Sequence, residues 1–157
     1  MKRIFAIALM TITMTAAATE TIATRFGQLK TDEDGMELLY KGKSIVQGNN
    51  GIRLVKKFQI GESDVLLLQD RGGNACPSLY RFVALTKAGG TVSELFGSCN
   101  DLTNATQTGD TIQVSMLGYL MVNGQYKESA EKTKCSFEYK SGAVVRSDKS
   151  PKEALIK

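Results

Sequence analysis

Residues 71–77, Arg-Gly-Gly-Asn-Ala-Cys-Pro, carry the densest chemistry in the chain: a guanidinium, two adjacent glycines, an amide and a thiol. Adjacent glycines let successive main-chain N–H groups converge on an anion, and Arg71 beside them can add a charge-assisted hydrogen bond. The competing use of Gly72 and Gly73 is conformational, turning the chain into a disulfide. Cys99, in Phe96-Gly97-Ser98-Cys99-Asn100-Asp101, supplies a partner thiol, and Cys135 is the third cysteine.

Several chemistries are excluded by composition. The chain has no histidine, which removes the Ser-His-Asp triad, the Cys-His pair and the commonest metal ligand. Three widely spaced cysteines without histidine match no common zinc site, so no metal and no cofactor are expected. With no tryptophan and 7% aromatic residues, a stacking platform for sugars or single-stranded nucleic acid is poorly supplied. Asp32, Glu33, Asp34 and Glu37 faintly echo a calcium loop, but its remaining ligands are missing, and a solvated turn is the expectation. Glu94, Asp101 and Asp110 are candidate acids for a carboxylate hydrolase, yet nothing singles out a pair.

The amino terminus has the form of an export signal. Lys2 and Arg3 precede a mostly apolar stretch over residues 4–14, and Ala16-Ala17-Ala18 offers a small-residue cleavage site. The stretch is about half the roughly 20 residues a membrane span requires. Residues 1–18 are therefore expected to be a cleaved signal peptide and 19–157 a single β-rich domain in the periplasm, with secretion also open and no stable membrane insertion. Losing Lys2 and Arg3 halves the formal charge of +4, which weakens any case for a nucleic-acid partner. The other basic residues are scattered, with Lys56-Lys57 adjacent, and fit a solvated face.

Apolar residues recur mostly at period two, the strand signature. Short strand-like runs alternate with turn signals such as Lys41-Gly42-Lys43, Gly48-Asn49-Asn50-Gly51 and Asn123-Gly124. Val65-Leu66-Leu67-Leu68 is continuously apolar, as in a strand buried on both faces. Ser150-Pro151-Lys152-Glu153 is a capping box that predicts a short carboxy-terminal helix. The fold class is all-β: an antiparallel meander, sandwich or barrel.

Of three possible single bridges, Cys76–Cys99 suits the pattern best. The two cysteines bracket a predicted hairpin of residues 79–85 and 91–96, which brings them to its open end. Closing a loop of about 24 residues contributes on the order of 3 kcal/mol in the chain-entropy model. Cys135, on a strand face with Phe137 and Tyr139, is expected to be a small buried hydrophobe.

Through Gly72-Gly73-Asn74-Ala75-Cys76-Pro77-Ser78-Leu79-Tyr80-Arg81-Phe82-Val83 and Phe96-Gly97-Ser98-Cys99-Asn100-Asp101, the chain resembles a group of small exported proteobacterial proteins of uncharacterised function. The resemblance extends back through Phe26-Gly27 and Leu38-Leu39-Tyr40-Lys41-Gly42. It implies an envelope location and a Cys76–Cys99 bridge, and it supplies no catalytic residues. In size, export and β content the chain is also similar to periplasmic lysozyme inhibitors. Their Ser-Gly motif with a later Trp is not matched, since Ser141-Gly142 leads into Ala143-Val144-Val145 and there is no tryptophan.

These readings favour a non-enzymatic periplasmic binding protein with a protein partner in the cell envelope, in its sharpest form an inhibitor or immunity protein against a wall-degrading enzyme or toxin. Arg71, Asn74, Tyr80 and Arg81 are the expected contacts. A structural component of an envelope assembly is the alternative, and a carboxylate hydrolase is a third.

Overall fold

The structure is a computed structural model, and it describes residues 19–73, 76–101, 103–118, 121–122, 125–126 and 134–148. The expected signal peptide, Asn74 and the expected helix at 150–157 lie outside the described residues. Alternating apolar residues punctuated by turn signals fold into strands throughout, arranged as three four-stranded antiparallel sheets.

The first sheet is an up-and-down meander of β1 (Thr21–Thr24), β2 (Gly27–Thr31), β3 (Glu37–Tyr40) and β4 (Lys43–Gln47). The second follows the same path with β5 (Ile52–Ile60), β6 (Ser63–Arg71), β7 (Ser78–Thr86) and β8 (Gly89–Val92). The third is built from β9 (Thr103–Thr108), β10 (Thr111–Leu117), β13 (Lys134–Lys140) and β14 (Ala143–Arg146). A small pair, β11 (Met121–Val122) with β12 (Gln125–Tyr126), lies between β10 and β13 in sequence.

The second sheet is the middle layer of a three-sheet stack. On β6, Leu66 and Leu68 face the first sheet and pack with Leu29, Leu38 and Val46. Val65 and Leu67 face the other way, against Ile112, Val114 and Phe137 of the third sheet. β7 divides in the same manner, sending Val83 and Leu85 to the first core and Tyr80, Phe82 and Ala84 to the second. This is why residues 65–68 are continuously apolar, whereas β10 alternates between buried Ile112, Val114, Met116 and their more accessible neighbours. Each fully buried leucine contributes about 1.5–3 kcal/mol.

Tight turns close the meanders. At Lys41-Gly42 and again at Ser141-Gly142, two consecutive residues take positive φ (51° and 77°, then 51° and 87°), the backbone of a type I′ hairpin. Gly48-Asn49-Asn50-Gly51 differs from its expectation. Asn50 does not take positive φ, and the segment carries the chain from the first sheet to the second, with the Asn50 N–H donating to the Arg71 carbonyl at 3.0 Å.

Lys56 and Lys57 are exposed, as expected of a solvated face, and each also makes an anchoring contact. Neighbouring residues of a strand point to opposite faces, and each ammonium reaches a different outer sheet. The Lys56 Nζ donates to the Ala105 carbonyl of β9 at 2.7 Å, and the Lys57 Nζ to the Ala23 carbonyl of β1 at 2.9 Å.

Candidate functional site

The end of the middle sheet where β6 leads to β7 is covalently pinned. Cys76 and Cys99 form a disulfide with their Cα atoms 4.6 Å apart. Beyond β8 the chain stays against β7: the Ser93 N–H donates to the Phe82 carbonyl at 2.9 Å, and Tyr80 and Phe96 exchange two main-chain hydrogen bonds of 2.8 Å. Those bonds bring Cys99 beside the start of β7, which the strand pattern anticipated, although β8 itself ends early at Val92.

Within the pinned loop Gly72 serves geometry. The Gly72 N–H donates to the Pro77 carbonyl at 2.8 Å, so it is already engaged and does not join an anion-binding nest. A Cβ at Gly72 would lie 1.8 Å from the Cys76 carbonyl oxygen, closer than any side chain permits. Gly73 has nothing within 4 Å of a Cβ position, so its glycine is not sterically required.

Beside this loop lies a cleft of about 520 Å³, formed by Arg53, Gln69, Arg71, Ser78, Asp101 and the Gly72, Gly73 and Pro77 backbone. Register explains the assembly. Arg53 stands opposite Gln69 across the β5–β6 ladder, and Arg71 stands opposite Ser78 across the β6–β7 ladder. Gln69 and Arg71 continue the face that carries Val65 and Leu67, so the apolar face turns polar at this end of β6. The floor is buried: the Gln69 Nε2 donates to the Ser78 Oγ at 2.6 Å. Above it, Arg53 and Arg71 are exposed, and among the described residues neither forms an ion pair or a side-chain hydrogen bond.

Arg71 is thus where an accessible cation was expected, but two of its expected companions are not. Tyr80 is fully buried beneath the cleft, with its hydroxyl donating to the Asn100 carbonyl at 3.0 Å. Burial, reinforced by the negative charge of Asp101, pushes its phenol up to about 12, which keeps it a neutral donor. Arg81 lies on the opposite face of β7, where its Nη2 meets the buried Asp70 Oδ2 at 2.7 Å and only 15% of its side chain is accessible. Alternation along the strand separates Tyr80, which presents no surface, from Arg81, whose side chain is only partly accessible.

Arg53, Gln69 and Ser78 were not legible as site residues. Arg53 reaches the cleft only through the β5–β6 register, which shifts at a bulge between Leu54 and Lys56.

The remaining candidates are dispersed. Asp101 borders the cleft, whereas Asp110 sits in the β9–β10 turn, 3.9 Å from the Lys140 Nζ, and Glu94 lies between β8 and β9. Asp32 organises its own turn, with its Oδ1 accepting the Glu37 N–H at 2.9 Å. Among the described residues no group of three or more acidic, cysteine or histidine side chains is arranged to hold a metal. Cys135 is buried in the second core, and the Arg146 Nη2 approaches its Sγ at 3.5 Å. No helix among the described residues is long and apolar enough to cross a membrane.

Comparison of the chain with protein-family models, with curated proteins and with solved structures found no match.

Proposed function

We propose that the protein is a non-enzymatic binding protein of the cell envelope that engages a protein partner through the disulfide-pinned end of its middle sheet. The observation that carries this reading is the pair of exposed guanidiniums, Arg53 and Arg71, on a rigid frame with no carboxylate at ion-pair distance among the described residues. Arginine is enriched where interfaces concentrate their binding energy. A frame fixed by a disulfide and by ladder hydrogen bonds loses little further freedom on association. The signal-like residues 1–18 and the Cys76–Cys99 bridge support a periplasmic location, because structural disulfides persist in oxidising compartments. An inhibitor or immunity protein against a wall-degrading enzyme or toxin is the sharpest form of the reading.

Affinity capture from periplasmic extract, comparing the native chain with the R53E/R71E variant, tests it. A stoichiometric partner held by the native chain and lost from the charge-reversed one is the expected outcome. A partner set that charge reversal leaves unchanged overturns the placement.

Attachment to a larger envelope assembly by strand addition has one observation in its favour. β14 is an edge strand of the third sheet, and its Val145 is 62% exposed. In that case V145K, and not R53E/R71E, abolishes capture.

A further inference from the structure

Arg53 and Arg71 are diagonal neighbours on one face of adjacent strands, a placement that sets Cβ atoms about 7–8 Å apart. Side chains as long as arginine can converge on one group from that separation. Both polar groups of the Arg71 backbone are held by residues 50–51, the N–H donating to the Gly51 carbonyl at 2.9 Å and the carbonyl accepting the Asn50 N–H at 3.0 Å. Two planar guanidinium forks with no carboxylate of their own present the geometry that binds an oxyanion in bidentate fashion.

Asp101 restricts which oxyanion. It borders the same cleft and carries no ion pair among the described residues. A doubly charged phosphate would bring two negative charges towards this carboxylate. A carboxylate brings one, and if an N–H donor follows it, that donor answers Asp101. A peptide carboxy terminus has this order of groups: a monoanionic fork, then an amide N–H on the same residue. The buried Gln69–Ser78 pair forms a polar floor, and a cleft of about 520 Å³ falls in the size range of small-ligand sites.

We propose that the cleft binds the free carboxy-terminal end of a peptide chain, with the carboxylate on Arg53 and Arg71 and the terminal residue's amide N–H directed to Asp101. This rests on the disulfide-pinned end being the binding face, and it names the chemistry recognised there.

The test is an NMR titration of the oxidised protein that follows the Gly72 and Gly73 amides with three probes: N-acetylglycylglycine, its carboxy-terminal amide and inorganic phosphate. N-acetylglycylglycine should give saturable shifts, and the amide should bind at least about tenfold more weakly for want of the charge. R53Q and R71Q should each weaken N-acetylglycylglycine by about tenfold, and D101N by a smaller factor. Both arginines are exposed, so the variants should keep the native melting transition. Equal binding of acid and amide, tighter binding of phosphate, or no saturable shift with N-acetylglycylglycine overturns the inference. If a captured partner is lost from R53E/R71E while N-acetylglycylglycine fails to bind, the binding-face reading stands and the peptide-terminus assignment falls.

Discussion

Asp64 and Asp70 stand on one face of β6, and each accepts one main-chain N–H and one guanidinium. Asp64 takes the Arg25 N–H at 2.8 Å and the Arg25 Nε at 2.6 Å. Asp70 takes the Asn49 N–H at 2.9 Å and the Arg81 Nη2 at 2.7 Å. Between them Leu66 and Leu68 supply the apolar contact with the first sheet. Asp64 therefore fastens the β1–β2 turn of the first sheet to β6, while Asp70 ties β6 to β7 and to the segment that leaves β4, with an oily stripe between. Six residues of extended strand place the two carboxylates about 20 Å apart, beyond the 5–9.5 Å of a glycosidase pair.

The two fastenings differ in solvent access, and truncation should separate them. D70A leaves the guanidinium of Arg81, 15% accessible, without its counter-charge and should cost about 3 kcal/mol. The Arg25 side chain is 39% accessible, so water takes over part of the lost interaction and D64A should cost about 1 kcal/mol. Urea unfolding of both variants decides the order, and a larger loss for D64A would contradict it.

The acid limb of the stability profile should carry the mark of Asp64. Burial pushes its carboxyl up, but the Arg25 N–H and guanidinium, with Lys57 nearby, outweigh burial and hold it below the ordinary 3.8. A depressed carboxyl contributes stability that is present above its unfolded value and lost as pH falls. Stability should therefore decline below about pH 4, and D64N should shallow that decline. Asp148, also lowered by its hydrogen bond to Arg146, adds to the same limb. An unchanged limb in D64N would remove Asp64 from the account.

At the alkaline end the sign reverses. The Tyr80 phenol lies at about 12, against an ordinary value of 10.0, mainly because burial disfavours the phenolate. Its contribution is complete below pH 10.0 and lost as pH rises towards 12. Tyr139, raised by burial as well, adds to the same limb. Y80F should lose the Asn100 hydrogen bond, about 1 kcal/mol at neutral pH, and flatten the alkaline decline. Urea midpoints between pH 8 and pH 12 test both statements.

The two glycines of the pinned loop should respond oppositely to alanine. G72A places a methyl group 1.8 Å from the Cys76 carbonyl oxygen, so the loop must open, at a cost of about 2 kcal/mol or more. G73A meets nothing within 4 Å and should stay within about 0.5 kcal/mol of the native chain. Equal melting temperatures for the two variants would refute this geometry.

Thiol labelling checks the cysteine arrangement directly. The native oxidised protein should take up no maleimide, because Cys76 and Cys99 are bridged and Cys135 is buried. Denaturation should expose one thiol, and denaturation with reduction all three. C76S/C99S should lose on the order of 3 kcal/mol to urea, the loop-closure contribution of a 23-residue separation.

The β class and the bridge were legible because both depend on local information. Alternation such as Ile112, Val114, Met116 records one buried face, and the run at residues 65–68 records two. The hairpin flanked by Cys76 and Cys99 brought them together without knowledge of the rest of the fold. What stayed hidden is non-local. Asn50-Gly51 looks like a hairpin turn, yet tertiary hydrogen bonds make it a crossing between sheets. Tyr80 and Arg81 follow Arg71 by nine and ten residues, but alternation buries one in the second core and gives the other to Asp70. Arg53 enters the cleft by a pairing register that composition does not encode.

Because β6 serves both cores, the order in which the chain emerges has a cost. Synthesis delivers proteins amino terminus first, so β1 to β4 appear before the strand that covers them. Until the middle sheet arrives, with Ile52, Leu66, Leu68, Val83 and Leu85, the buried residues Leu29, Leu38 and Val46 lack their full opposing layer, and the first meander is a sticky, unfinished half-sandwich. The third sheet meets no such delay, since its wall is already standing when it is made. Dependence on a chaperone should therefore be concentrated in the first part of the molecule and fall once β5 to β7 are in place.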